Sequence, residues 1–299
     1  MTAPTHFLDL CDFDAATLRT IVDQGAAFKA KGGTRRLAGK TLALIFERPS
    51  TRTRISFEVG MRKLGGDVVN LSPSEMQLGR GETIADTARV LSRYVDGVML
   101  RAKTAATVLE LADYADVPVI NGLTDLSHPT QVVADLMTVE ENCGPIAGKA
   151  VAWIGDANNV CNSWIHAAAR FGFSMRVAAP ARFAPPAAVV DWAQTEGVDL
   201  TVTEDAAAAG DGGDCVGTDT WVAMHNAESD IRRKLLGPYQ VDAALMARAK
   251  STAIFLHCLP AHRGEEVSAD VIDGPQSRVF DEAENRLHAH MAILNYVIP

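Results

Sequence analysis

Short apolar runs alternate with amphipathic stretches from residue 41 onward. TLALIF (41–46), DVVNL (67–71), GVMLR (97–101) and VPVIN (117–121) read as strands. Between them, residues 55–64 set Phe57, Met61 and Leu64 at i, i+4 and i+7, the helical spacing. ETIADTARVLSRY (82–94) and HPTQVVADLMTVEEN (128–142) also read as helices. The second half keeps the rhythm, with KAVAWIGD a strand, VCNSWIHAAARFG a helix stopping at a glycine, and SMRVAAP a strand. DCVGTDTW, AIFLHCLP and RVFDEAENR follow as three strand-plus-loop units, and AENRLHAHMAILNYV closes as a helix. Strands separated by helices predict an α/β protein whose central parallel sheets are flanked by helices.

At 299 residues the chain exceeds one usual compact domain, so two domains are expected, parting near residues 133–150. Acidic residues outnumber basic ones 37 to 28, which argues against nucleic acid or an anionic membrane as partner. An anionic ligand must then be held by a local cluster of cations. The first residues carry no basic, apolar leader, and no apolar run reaches membrane-spanning length. Five widely spaced cysteines without a CxxC pair suit free thiols in a reducing cytoplasm.

STRTR (50–54) follows a strand and opens a helix. Ser50 or Thr51 suits the N-cap, the first helical N–H groups and the dipole favour an anion, and Arg52 and Arg54 add guanidinium donors. Arg101 ends a strand, the edge where parallel sheets bind ligands. His128 and Gln131 flank Pro129 at a helix start. Gln77 sits before the glycine-flanked Arg80 of LGRGET. Asn158 and Asn159 offer amides at a helix start, where one of them serves equally well as a cap. Asp219 after DCVG suits an ammonium group, and Cys258 ends an apolar strand beside His257 and Pro260. His288 and His290, two apart on a helix, do not share a face, and no zinc spacing occurs, so no metal and no cofactor is expected. GDANN lacks GxGxxG, which counts against a dinucleotide.

STRTR, QLGRGET, HPTQ, DTW, HCLP and ENR occur in the order found in the aspartate/ornithine carbamoyltransferase family, and the chain resembles its ornithine branch along nearly its whole length. FLHCLPAHRGEEV is the branch-specific stretch. The resemblance implies residues 1–133 as a carbamoyl phosphate-binding domain, onto which a C-terminal helix (284–299) packs back, and 134–283 as an ornithine-binding domain. It implies transfer of a carbamoyl group to the δ-amine of L-ornithine, giving citrulline for arginine synthesis, in a cytoplasmic homotrimer with sites at subunit interfaces. By motif, Ser50, Thr51, Arg52, Thr53, Gln77 (from a neighbouring subunit), Arg101, His128, Gln131, Cys258, Leu259 and Arg286 would hold carbamoyl phosphate. Arg101, His128 and Cys258 would be catalytic, and Asn159, Asp219, Ala223 and Met224 would hold ornithine.

Two departures from the family pattern stand out. Its serine-methionine-glycine loop reads Ala223, Met224, His225 here, and the glycine of its GDGNN is Ala157. Loss of the serine hydroxyl removes a hydrogen bond to a charged ligand, about 1.5–3 kcal/mol. The alternatives are a sister transferase acting on an acylated ornithine or putrescine, and a non-catalytic carbamoyl phosphate-binding homologue.

Overall fold

The computed structural model describes residues 5–72, 81–222 and 228–299. The chain forms two compact units, Met1–Ala134 with Glu284–Pro299, and Asp135–Ala283.

The first unit begins with α1 (Ala15–Lys31), capped by the Asp14 carboxylate. It continues through β1 (Thr41–Phe46), α2 (Thr51–Lys63), β2 (Asp67–Leu71), α3 (Ile84–Leu91), β3 (Gly97–Arg101), α4 (Ala105–Tyr114) and β4 (Val119–Leu123) into α5 (Pro129–Cys143). The four strands are parallel in the order β2-β1-β3-β4. The chain therefore winds outward from β1 to β2, then returns to place β3 on the other side of β1. Phe46 and Arg101 are register partners across that reversal, so the loop into α2 and the Arg101 side chain share the switch point, where open parallel sheets bind ligands. Ile45, Val98, Leu100 and Val119 pack with Val108 and Leu111 of α4 on one face. Each such buried aliphatic side chain contributes about 1.5–3 kcal/mol.

The second unit runs β5 (Ala150–Ile154), α6 (Asn159–Phe171), β6 (Ser174–Ala178), α7 (Ala187–Thr195), β7 (Leu200–Thr203), α8 (Ala206–Gly210), β8 (Cys215–Gly217), α9 (Ser229–Leu236), α10 (Ala243–Met246), β9 (Ile254–Leu256), α11 (Ala269–Ile272) and the start of α12 (Val279–Val297). Its parallel sheet is ordered β7-β6-β5-β8-β9, with the reversal between β5 and β8. Asp156–Asn159 after β5 and Thr218–Asp219 after β8 thus occupy the second switch point. Gly155 has φ +106, and a Cβ there would lie 2.9 Å from the Trp221 indole nitrogen, so the turn out of β5 demands glycine.

The strand-plus-loop expected for RVFDEAENR is corrected: Val279 onward is helix, with Asp281 and Glu282 favourably placed in its first turn. The extended signal belongs just upstream, where Ser277 bridges Phe255 and Arg278 donates back to the Phe255 carbonyl at 3.0 Å. Within the first unit α12 lies against α2. The His290 ring stacks on Phe57 at 3.8 Å, and a Cβ on Gly60 would stand 3.2 Å from Met291.

Candidate active site

In the first unit the site begins with a helix cap. Ser50 is extended (φ −155), and its hydroxyl accepts from the Thr53 amide at 3.3 Å. The amides of Thr51 and Arg52 belong to a first turn that has no intrahelical acceptors. Thr53 points inward, is fully buried, and its hydroxyl accepts from Arg286 at 2.7 Å and from Arg101 at 3.3 Å. One guanidinium comes from the end of β3 and the other from α12. Their convergence on one hydroxyl concentrates positive potential at the positive end of α2, a place made for an oxyanion. Arg52 is half-buried and Arg54 exposed. A cleft of about 470 Å³ opens beside this helix start, lined in part by Glu47, Pro49, Ser50, Thr51, Arg54 and Ser72. Arg101, His128 and Gln131 do not line it.

His128 is positioned by a closed turn. Thr124 and Ser127 exchange backbone and hydroxyl bonds at 3.0 and 3.2 Å, and Asn121 donates to the Ser127 hydroxyl at 3.1 Å. His128 then opens α5 almost wholly buried, its Nδ1 lying 3.4 Å from the Thr130 hydroxyl. Burial, and after it the charges of Arg286 and Arg101, hold the imidazole well below the ordinary histidine range. His128 is therefore a neutral ring, able to donate one N–H but carrying no charge. Gln131 is fully buried, and its backbone N–H donates to the His128 carbonyl at 3.1 Å.

In the second unit the centre is Asp219. One carboxylate oxygen accepts from the Asn158 amide at 2.6 Å, and the other from Thr220 N at 2.7 Å and the Cys258 thiol at 3.2 Å. Asn158 also caps α6, accepting from Val160 N at 2.9 Å and Cys161 N at 3.3 Å. Burial first, and the Asp219 carboxylate second, push the Cys258 thiol well above its usual range. A neutral thiol hydrogen-bonded to a carboxylate is a poor nucleophile. His257 faces elsewhere: its Nδ1 accepts from Leu259 N at 2.9 Å, and its Nε2 lies 3.2 Å from Glu266. With Nδ1 accepting, the proton sits on Nε2, and the ring fixes the turn into Leu259 (φ +57) and the cis Leu259–Pro260 bond.

Of the residues singled out from sequence, Thr53, Arg101 and Arg286 come together around one hydroxyl, Ser50 caps the Thr53 amide, and Asp219 meets Cys258. The Asn159 oxygen accepts from Val160 N at 3.1 Å. Gln77, Ala223 and Met224 lie outside the described residues. Two supporting residues went unassigned. In the sequence Asn158 is no more than an alternative to its neighbour, whereas Asn121, an amide inside an otherwise apolar strand, is a signal for a buried polar tie.

Residues 5–141 match the family described as aspartate/ornithine carbamoyltransferase, carbamoyl-P binding domain, and residues 147–297 match its Asp/Orn binding domain. The chain belongs to the aspartate/ornithine carbamoyltransferase family. Within it, an ornithine carbamoyltransferase from Rhodopseudomonas palustris (strain BisA53) is 58% identical, over 98% of this chain and 96% of that protein. The ornithine carbamoyltransferase structure from Pyrococcus furiosus superposes with TM-score 0.94 at 47% identity, covering 99% of this chain and 97% of that one. An acetylornithine transcarbamylase complexed with acetylcitrulline superposes at 0.89 with 32% identity, covering 99% of each chain.

Proposed function

We propose that the chain transfers the carbamoyl group of carbamoyl phosphate to the δ-amine of L-ornithine, releasing L-citrulline and phosphate in the direction of arginine synthesis. The observation that carries this reading is the pair of guanidiniums, Arg101 and Arg286, converging on Thr53 at the N-terminus of α2. It supplies charge and donors for a phosphate and a carbonyl oxygen together. Residues 1–134 with the C-terminal helix serve as the carbamoyl phosphate unit, and residues 135–283 as the amino-acid unit.

In this reading Ser50, Thr51, Arg52 and Thr53 take the phosphate, while Arg101, His128 and Gln131 take the carbamoyl end. The neutral δ-amine attacks the carbonyl carbon. Negative charge gathers on the carbonyl oxygen of the tetrahedral intermediate, where Arg101, the Thr53 hydroxyl and the His128 N–H donate to it. The carbon–oxygen bond to phosphate then breaks, the leaving phosphate oxygen takes the surplus amine proton, and phosphate departs as its dianion from the guanidiniums. His128 acts as a neutral donor, as its depressed pKa requires. Cys258 forms no covalent bond; with Leu259 it orients the reactants, and Asp219 faces the α-ammonium of ornithine together with Asn159, Ala223 and Met224. Holding two substrates in register supplies much of the rate.

The family resemblance supports a homotrimer in which Gln77 completes a neighbouring site. The exposed apolar Ile55, 55% accessible at the start of α2, suits a subunit contact. A cytoplasmic setting accords with five cysteines that are all free, and among the described residues no helix is long and apolar enough to cross a membrane. The test is product formation from carbamoyl phosphate with ornithine, acetylornithine, putrescine and aspartate offered in parallel. Robust turnover with ornithine alone is the expected result; preference for another amine, or none, overturns the reading. Light scattering on the same preparation checks the trimer.

A further inference from the structure

After β9 the chain makes a turn whose side chains the transfer reaction does not use. His262, Glu265 and Glu266 lie in it, and one ligand atom from each falls within 4.8 Å of the others. Glu266 is completely buried. Its Oε1 lies 3.2 Å from His257 Nε2 and accepts from the His262 amide at 2.5 Å, while its Oε2 is buried without a hydrogen-bond partner. Glu265 repeats the arrangement: Oε1 accepts from Arg233 Nε at 3.1 Å, and Oε2 is buried and unpartnered. His262 Nδ1 is likewise buried and unpartnered. Arg263, the one cation inside the turn, points away and grips Asp273 with two bonds of 2.6 and 2.8 Å.

Each carboxylate thus has one oxygen pinned by protein donors and the other left over, the division of labour seen in metal ligands oriented by their surroundings. A buried carboxylate oxygen with no donor is costly, and two beside an imidazole lone pair ask for a cation. We propose that His262 Nδ1, Glu265 Oε2 and Glu266 Oε2 form a site for a divalent transition-metal ion of the zinc type. One imidazole and two carboxylates select such an ion over magnesium or calcium, which take oxygen ligands. Ligand bonds of about 2.0–2.2 Å need the three atoms to draw together from separations such as the 3.8 Å between His262 Nδ1 and Glu266 Oε2, and the partly exposed His262 side chain can close that gap while Arg233 holds the other Glu265 oxygen. The neighbouring Asp219, His257 and Cys258 cluster is the weaker host, because both nitrogens of His257 face partners. Through Glu266 and His257 the ion would brace the turn that carries Cys258 and Leu259, whichever amine is the acceptor.

The experiment uses the full chain stripped with a chelator, then titrated with Zn2+ against a chromophoric competitor, and with Co2+ for its absorption spectrum. We expect one equivalent bound, a raised thermal midpoint, and a cobalt spectrum without a thiolate charge-transfer band. His262→Asn and Glu265→Gln, both at partly exposed positions, should each weaken Zn2+ at least tenfold and abolish the thermal shift, while Cys258→Ser keeps both. Absence of micromolar binding, affinity unchanged in the two variants, or a thiolate band that disappears with Cys258→Ser would each overturn the site.

Discussion

The two units of this chain share one manner of winding, in sheets of four and five strands, and put opposite chemistry on it. Each winds a parallel sheet outward, reverses, and leaves a switch point at which two loops meet. In the first unit the reversal brings together a capped helix start and arginines, with Arg101 and Arg286 on the Thr53 hydroxyl. In the second the same geometry brings together a capped helix start and a carboxylate, with Asn158 serving as cap and as tether of Asp219. The helix dipole is positive in both places. What differs is whether side chains add to it or cancel it. In the proposed reading the arginines seat a phosphate and Asp219 an ammonium group. The fold supplies the place, and a few residues decide the sign of the guest.

The largest expected effect comes from breaking the cationic half. Arg101→Gln keeps a polar side chain at the end of β3 but removes the charge that faces the developing oxyanion. A single such donor is worth about 10²- to 10³-fold in kcat. The loss should fall on kcat more than on the KM for ornithine in steady-state assays. A change confined to the ornithine KM would mean that Arg101 serves the other substrate. Asp219→Asn breaks the anionic half. It keeps the size and the one oxygen that Thr220 N and Cys258 hold, sets an NH2 against the Asn158 amide, and removes the counter-charge that the proposed reading gives an α-ammonium, which should raise the ornithine KM roughly a hundredfold. Carbamoyl phosphate binding by calorimetry should stay as it was. Equal damage to both ligands would erase the division between the units.

The comparison extends to pH. In the first unit His128 and His290 are buried and held well below the ordinary value of 6.5, each first by burial and then by Arg286, and His6 shifts the same way. The unfolded chain takes up these protons below about pH 6.5 while the folded one does not, so the unit loses stability as pH falls through that value. His128 and His290 each contribute a slope of about 1.4 kcal/mol per pH unit. In the second unit Cys161, Cys215 and Cys258 are pushed well above the ordinary 9.0, all first by burial. There the unfolded thiols ionise first, and stability is lost as pH rises past about 9. All four tryptophans lie in the second unit, so fluorescence reports on it alone, while circular dichroism sees both. Urea midpoints from the two probes should part below pH 6.5, with the first unit failing earlier, and His290→Leu should narrow the gap. Coincident midpoints down to pH 5 would show that the histidines do not set the acid limit.

The difference between the units also explains what the sequence could convey. Strands such as TLALIF and AVAWI are continuous apolar runs because both faces of a parallel sheet are covered, and they are legible for that reason. STRTR and HPTQ announce themselves by donor density and by proline at the start of a helix. The short helices of the second unit carry no such mark; α10 and α11 span four residues each, too few for periodicity. The tether from Asn158 to Asp219 spans 61 positions, and the Thr53 hydroxyl shared with Arg286 spans 233. Nothing local in the sequence reports which of two adjacent asparagines turns inward, nor that one hydroxyl serves two arginines.

The smallest expected effect lies where this chain departs from its family. Ala223 stands where the family pattern has a serine, in the Ala223-Met224-His225 stretch that the proposed reading assigns to the amino-acid side of the reaction. If the second unit recognises ornithine through Asp219 and its supports, the missing hydroxyl is a loss at the edge of the site. Ala223→Ser should then lower the ornithine KM about tenfold, the worth of one hydrogen bond to a charged group, and leave kcat nearly unchanged. Carbamoyl phosphate binding, which the proposed reading assigns to the first unit, should not respond. A rise in kcat instead would place the hydroxyl at the reacting amine. No gain at all would mean that His225 or a backbone amide already fills the role, and that the second unit has rebuilt its recognition around a different donor.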